Sequence, residues 1–244
     1  MLELFFLGSS NAFTPDGRYW SSFLLNGRYL FDAPPTVVPH LKRLSVPVTD
    51  IRVIFISHFH GDHFLGLPFL LLDYLHMTPR QEDLHIVGPP GVEKVIEDAT
   101  ELAFPNLSRA DSGYQRHYME VDVNQEQTVD DLRFQAFPMK HGDEGLESFG
   151  YRVCLDDKVV AYTGDAEFSE ELFALAEGAD VLVMDCNYSE GKGPYHVSFA
   201  EVPEIRRRLP LSTTIILTHM EAELDVSGLQ GVLAAQDFAV FRFP

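Results

Sequence analysis

The sequence predicts an α/β protein of the αββα kind, with two mixed β-sheets face to face and helices on the outside. Three observations predict it. Short apolar, β-branched runs recur along the whole chain in an earlier and a later set. Helical patterns fall between these runs and after them, so the elements form sheet-and-helix layers. The 244 residues are 45% hydrophobic, enough to fill a large core, and no convincing linker interrupts them; one domain over 1–244 is expected.

The earlier strand-like runs lie at 2–7, 22–25, 28–31, 51–56 and 84–88. The later ones lie at 117–123, 132–137, 151–155, 158–162, 180–185, 213–218 and 238–243. Helical patterns fall near 35–44, 64–77, 91–104, 167–177 and 199–208. The first run carries no basic segment ahead of it, which argues against a secretory signal. The richest apolar stretch, 64–72, is too short to cross a bilayer and contains Pro68, so it reads as the start of a buried helix. An amphipathic helix at 91–104 leads into a loop at 105–115. Ser198 followed by Glu201 is a capping-box pattern that starts the helix at 199–208. Neither a low-complexity segment nor a short-period repeat is visible.

The chemistry concentrates directly after the run at 51–56, where His58, His60, Asp62 and His63 fall within six positions. Imidazole and carboxylate together suit zinc, manganese or iron, and a strand end holds them rigidly. Gly61 lets the backbone turn, so that successive side chains converge. His58 and His60 could serve one ion while Asp62 and His63 serve a second. Each ion would then be short of ligands, since zinc takes three or four from the protein. Three later strand ends can make up the deficit. The run at 132–137 leads to His141, the run at 158–162 to Thr163-Gly164-Asp165, and the run at 213–218 to His219.

This set, an H-x-H-x-D-H motif followed by His141, Thr163-Gly164-Asp165 and Leu217-Thr218-His219, resembles the metallo-β-lactamase superfamily. The likeness is to its phosphodiesterase branch, which contains the transfer-RNA 3′-processing endonuclease RNase Z and smaller cyclic or nucleotide phosphodiesterases. Leu7-Gly8-Ser9-Ser10-Asn11-Ala12-Phe13, Gly17-Arg18 and Ser21-Ser22 resemble that branch's N-terminal strand and loop. Leu30-Phe31-Asp32 and Leu41-Lys42-Arg43-Leu44 resemble its second strand and first helix. The likeness covers nearly the whole chain and implies a metallo-β-lactamase-type αββα sandwich.

The resemblance further implies two divalent metal ions, with zinc favoured and manganese or iron as alternatives. His58, His60 and His141 would hold one, Asp62, His63 and His219 the other, with Asp165 bridging. Superfamily members with a redox di-iron centre usually carry Glu where this chain has His60, which favours hydrolysis. Residues 193–198 resemble the branch's histidine loop, so His196 would protonate the leaving alkoxide. Asp62 or Asp165 would accept the proton of the attacking water. Where the endonuclease has His-Glu-Ala-Thr this chain has Met184-Asp185-Cys186-Asn187, so Asp185 stands in for the Glu. No acidic residue occurs at 162–164, the place expected to supply a partner that orients His196.

The net charge of −19 bears on the substrate. A protein gripping a structured RNA should present Lys and Arg to its backbone. Here Arg206-Arg207-Arg208 is the one strong basic run, and it falls late in a helix, where it complements the dipole. The branch's Gly- and Lys-rich arm is not visible. A small nucleotide or cyclic phosphate ester is therefore expected over structured RNA. A lactone, thioester or sulfate ester stays open, as does a non-hydrolytic metal-binding module. With Cys154 and Cys186 as the two cysteines, a reduced cytoplasmic protein is expected, without a membrane partner and with a homodimer left open.

Several residues carry smaller expectations. Cys154 and Cys186 read as core. Phe13, Tyr19, Trp20 and Tyr195 are candidates for an apolar wall over the metals. Asp143 and Glu144 read as an exposed turn beside His141, and His40, His76, His85 and His117 as ordinary surface or core histidines.

Overall fold

Alternation along the strands sorts side chains onto the two faces of a mixed, seven-stranded sheet in the computed structural model, which describes residues 1–123, 125–142 and 145–244. Its strands are β1 (Leu2–Gly8), β2 (Ser22–Leu25), β3 (Tyr29–Phe31), β4 (Val53–Phe55), β5 (Leu84–Gly88), β6 (Arg116–Glu120) and β14 (Val240–Phe243). The order is β14-β1-β2-β3-β4-β5-β6; β3 to β6 run parallel, while β14 and the β2–β3 hairpin pair antiparallel. Leu24, Leu30, Ile54 and Ile86 point one way. They pack with residues of three helices, α1 (Val37–Arg43), α3 (Leu67–His76) and α4 (Val92–Ala103), including Leu41, Leu70, Leu71 and Ile96. The neighbouring positions Phe6, Phe23, Phe31 and Phe55 point the other way and form a stacked ladder with centroid spacings of 5.5, 4.5 and 5.0 Å. Each such contact adds about 0.5–1.5 kcal/mol beyond the burial of its rings.

A second seven-stranded mixed sheet contains β7 (Glu126–Val129), β8 (Leu132–Met139), β9 (Ser148–Leu155), β10 (Lys158–Tyr162), β11 (Val181–Asp185), β12 (Thr214–Thr218) and β13 (Val232–Ala234). Strands β10 to β13 are parallel; β7, β8 and β9 form an antiparallel meander joined to β10. Leu172 and Leu175 of α5 (Glu170–Ala176) and Val202 and Ile205 of α6 (Val202–Arg208) share its core with Leu182, Met184, Ile215 and Leu217. The chain divides accordingly into two compact units. One comprises Met1–Leu7, Trp20–Val121 and Phe238–Pro244, the other Gly8–Tyr19 and Asp122–Asp237.

Some predicted elements change shape for local reasons. The helix predicted at 64–77 is a single turn, α2 (Gly61–Phe64), followed by α3. Between them the Gly66 N–H donates to the Ala33 carbonyl at 2.8 Å, and Pro68 starts a fresh helix. The helix predicted at 199–208 opens as a 3-10 turn, Phe199–Glu201, whose Glu201 carboxylate accepts the Ser198 N–H at 3.0 Å; α6 proper follows, with Pro203 in its first turn. The strand expected at 51–56 narrows to β4, and the one at 117–123 shifts to β6. Strands β7 and β13 were not predicted. Both are short edge strands, paired on one side only, so neither needs a long apolar run. Cys154, expected in the core, is half-buried on β9, whereas Cys186 is buried. Among the described residues, no helix is long and apolar enough to cross a membrane.

Gly66 has no room for a side chain. A Cβ there would lie 2.0 Å from the Pro34 carbonyl oxygen and 2.7 Å from that of Ala33. Gly66→Ala is expected to destabilise the protein by about 2 kcal/mol, in the range of other overpacked sites. Urea unfolding would show this as a lower midpoint, and an unchanged midpoint would refute the close approach.

Candidate metal centre

In the first unit, β3 and β4 run parallel and deliver Asp32 and Ser57-His58 at their carboxyl ends. Asp32 is fully buried and turns the chain at φ +56°. Its Oδ1 accepts the Ser57 N–H at 2.8 Å, and its Oδ2 accepts the Ser57 hydroxyl at 2.9 Å and the His63 Nδ1–H at 2.7 Å. With the Ser57 hydroxyl turned to Asp32, its oxygen can accept from His58 Nδ1, 3.0 Å away. Both imidazoles are thus held through Nδ1, the support that a metal-binding histidine usually has. His60 precedes α2, and its ring centroid lies 4.5 Å from that of His58; the His58 and His63 centroids lie 4.2 Å apart. Asp62 Oδ2 is 3.4 Å from His63 Nε2.

In the second unit, β8, β10, β11 and β12 all point the same way, so His141, Asp165, Asp185 and His219 emerge from one end of the sheet. His141 Nδ1–H donates to the Tyr195 carbonyl at 2.8 Å. Asp165 Oδ2 lies 3.7 Å from His141 Nε2 and 3.4 Å from His219 Nε2, between the two rings. These gaps exceed a hydrogen bond. Two donors on one tetrahedral ion, each about 2.0–2.1 Å from it, sit about 3.3 Å apart, so the spacings suit ligands of a shared cation. Asp165, Asp185, His196 and His219 each place one ligand atom within 4.8 Å of the others. The imidazole and carboxylate donors of His141, Asp165 and His219 therefore fit a divalent metal.

His219 takes a left-handed backbone, φ +57°. The turn is clamped through the next residue: the Met220 N–H donates to the Ser9 carbonyl at 3.0 Å, and the Met220 carbonyl accepts from the Arg18 guanidinium. His196 sits on the 189–198 loop with its Nδ1 2.8 Å from Asp185 Oδ2, which leaves Nε2 to exchange a proton. Its ring stacks on that of His219 at 5.2 Å and lies edge-on to that of His141 at 4.8 Å. Burial opposes the charging of His196, but the Asp185 and Asp165 carboxylates together outweigh it and lift the imidazole above its ordinary pKa. For His141 burial wins over the Asp165 charge, and the pKa falls.

Two supporting carboxylates carry more than the sequence showed. The partner of His196 sits at Asp185 on β11, not at 162–164, and Asp185 also accepts the Ala166 N–H at 3.1 Å. Asp32, read only as part of a strand, orients His63. A lone Asp ending a short apolar run is the one signal that could have marked it. Phe13 is 86% exposed, and Tyr195 offers its carbonyl to His141. Trp20 is half-buried in the first unit. Asp143 and Glu144 lie outside the described residues. His40 packs edge-on against Phe238, and His85 stacks on His117, which pairs with Asp83; all three are the ordinary histidines expected.

Residues 27–220 match a family model described as a beta-lactamase superfamily domain. The chain is 25% identical to a ribonuclease Z of Geobacillus kaustophilus, with 100% of this chain and 99% of that protein covered. That alignment runs over 315 positions, more than the 244 residues here, so the relative carries segments with no counterpart. The human short-form tRNase Z superposes with a TM-score of 0.79 at 21% identity over 99% of both chains. A diphosphatase of the PhnP family does so with a TM-score of 0.76 at 19% identity, covering 100% of this chain and 98% of that one. The two seven-stranded mixed sheets with their helices are the metallo-β-lactamase fold of these neighbours.

Asp32→Asn keeps the volume of the side chain, but one amide oxygen cannot replace two carboxylate oxygens, so its NH2 must face either the Ser57 N–H or the Ser57 hydroxyl and His63. Zinc affinity, measured by competition with a chromophoric chelator, is expected to fall roughly 10–100-fold. Affinity equal to the wild type would remove Asp32 from the centre.

Proposed function

Since the chain belongs to the beta-lactamase superfamily, we propose that it is a divalent-metal-dependent hydrolase of small phosphodiesters, nucleotide or cyclic. The observation that carries this reading is the pairing of His196 with buried Asp185 beside the His141, Asp165 and His219 cluster. An oriented imidazole next to metal ligands can supply a proton to a poor leaving group such as the alkoxide of a phosphodiester. His58, His60 and His141 would hold one ion, Asp62, His63 and His219 the other, with Asp165 between them. Zinc fits the imidazole-rich donor set, with manganese or iron as substitutes.

When bound, the cations supply Lewis acidity and make water nucleophilic near neutral pH. The side chains do the rest. Asp62 or Asp165 takes up the proton of the attacking water through a carboxylate oxygen. Asp185 holds His196 at Nδ1, so that Nε2 delivers its proton to the departing oxygen.

The surface charge favours a small substrate. Every guanidinium of the one basic run is committed: Arg206 donates to the Leu209 and Thr213 carbonyls, Arg207 pairs with Glu204 and Arg208 with Glu170. A phosphate backbone would have to displace these partners to be gripped by the run. An RNA substrate is the second reading, favoured by the ribonuclease Z relatives.

Metal-stripped protein is expected to be inert toward bis(p-nitrophenyl) phosphate and to regain turnover with zinc or manganese. His196→Ala should lower turnover of a 2′,3′-cyclic nucleotide, whose leaving group is an alkoxide, by roughly a hundredfold or more. Turnover of p-nitrophenyl sulfate or a lactone alone would sink the phosphodiesterase reading. Cleavage of a structured RNA in preference to the diesters would establish the second one.

A further inference from the structure

Glu167, two residues past Asp165, joins three parts of the second unit. Its backbone N–H donates to the Lys140 carbonyl at 2.8 Å, and its Oε2 pairs with Lys140 Nζ at 2.5 Å. Its other oxygen, Oε1, accepts the Tyr195 N–H at 2.9 Å. The far side of Tyr195 is engaged as well, since its carbonyl accepts from His141 Nδ1 at 2.8 Å, and the residue that follows is His196. One residue thus stands between a candidate metal ligand and the candidate proton donor.

Tyr195 holds this place in a left-handed conformation, φ +72°, rarely adopted by residues with a side chain. Its neighbours help to set it. The Tyr188 hydroxyl donates to the Pro194 carbonyl at 3.0 Å, and Gly193 packs so tightly on the Tyr188 ring that a Cβ would fall 2.2 Å from it. The Tyr195 N–H itself is fixed by Glu167.

We propose that Glu167 is a positioning residue: by capturing the Tyr195 N–H it aims His141 at its metal and His196 at the leaving oxygen. The proposal rests on the phosphodiesterase reading above and adds a group that touches neither metal nor substrate. Lys140 alone would satisfy a carboxylate that merely solvated the surface. Here the two oxygens are divided, with Oε2 on Lys140 and Oε1 turned inward to the Tyr195 peptide.

The test uses zinc-loaded wild type, Glu167→Ala and Glu167→Gln with methyl p-nitrophenyl phosphate and methyl phenyl phosphate. Phenoxide needs a proton far more than p-nitrophenoxide does. Glu167→Ala is expected to lose roughly tenfold more turnover on the phenyl ester than on the nitrophenyl ester. It should also bind zinc more weakly, because His141 is no longer held. Glu167→Gln, whose Oε1 can accept the same N–H, should restore both properties. Equal loss on the two esters, or a Gln variant no better than Ala, would overturn the proposal. Wild type inert toward both esters would overturn the phosphodiesterase reading instead. Glu167 would then be judged by zinc alone: weaker binding in Ala than in Gln supports its role, and equal binding refutes it.

Discussion

Buried carboxylates cannot stand alone, and the candidate centre is built around two that do not. Asp32 and Asp185 have no exposed surface, and each would be costly to bury without donors. Asp32 is satisfied by Ser57 and His63; Asp185 Oδ2 accepts from Ala166 and pairs with His196, and its Oδ1 lies 3.5 Å from His219 Nδ1. In satisfying themselves, they fix the tautomer and direction of the imidazoles they touch. Each sits at the carboxyl end of a parallel strand, so its place is set by sheet hydrogen bonds and not by a mobile loop. If either strand shifted register by one residue, its carboxylate would change faces and an imidazole would lose its anchor.

The same logic explains how an acidic chain can be suited to an anionic ester. The protein carries −19 overall, yet the acids in the second unit's cluster are few and each has a defined partner. Much of the remaining negative charge is on the surface, some of it in ion pairs such as Glu204 with Arg207. A divalent cation held by Asp165 and the imidazoles would reverse the sign of the field locally. Acidity of the whole chain and affinity for a phosphate are then compatible.

How much of this was legible in the sequence follows from how each residue does its work. His58, His60, Asp62 and His63 stood out because a helical turn after a strand packs several candidate ligands into a few positions. His141, Asp165 and His219 were legible because each follows an apolar strand. Strands β7 and β13 were not, since an edge strand needs little hydrophobicity. Asp32 and Glu167 escaped for another reason. Their functions depend on partners 31 and 28 residues away, and no local pattern encodes that distance. The side chain of Tyr195 drew notice, but its carbonyl does the work, and a backbone group leaves no mark in the residue type.

His219 keeps a left-handed backbone that an imidazole-bearing residue does not prefer, at a cost of about 1–2 kcal/mol against a relaxed conformation. Glycine or asparagine would adopt the same angles with less strain. Selection for thermal stability alone would therefore push this position away from histidine, and Tyr195 likewise. Laboratory evolution or automated redesign scored on melting temperature would tend to yield a sturdier protein stripped of its chemistry. Any stabilised version of this scaffold should hold both positions constant and take its gains elsewhere.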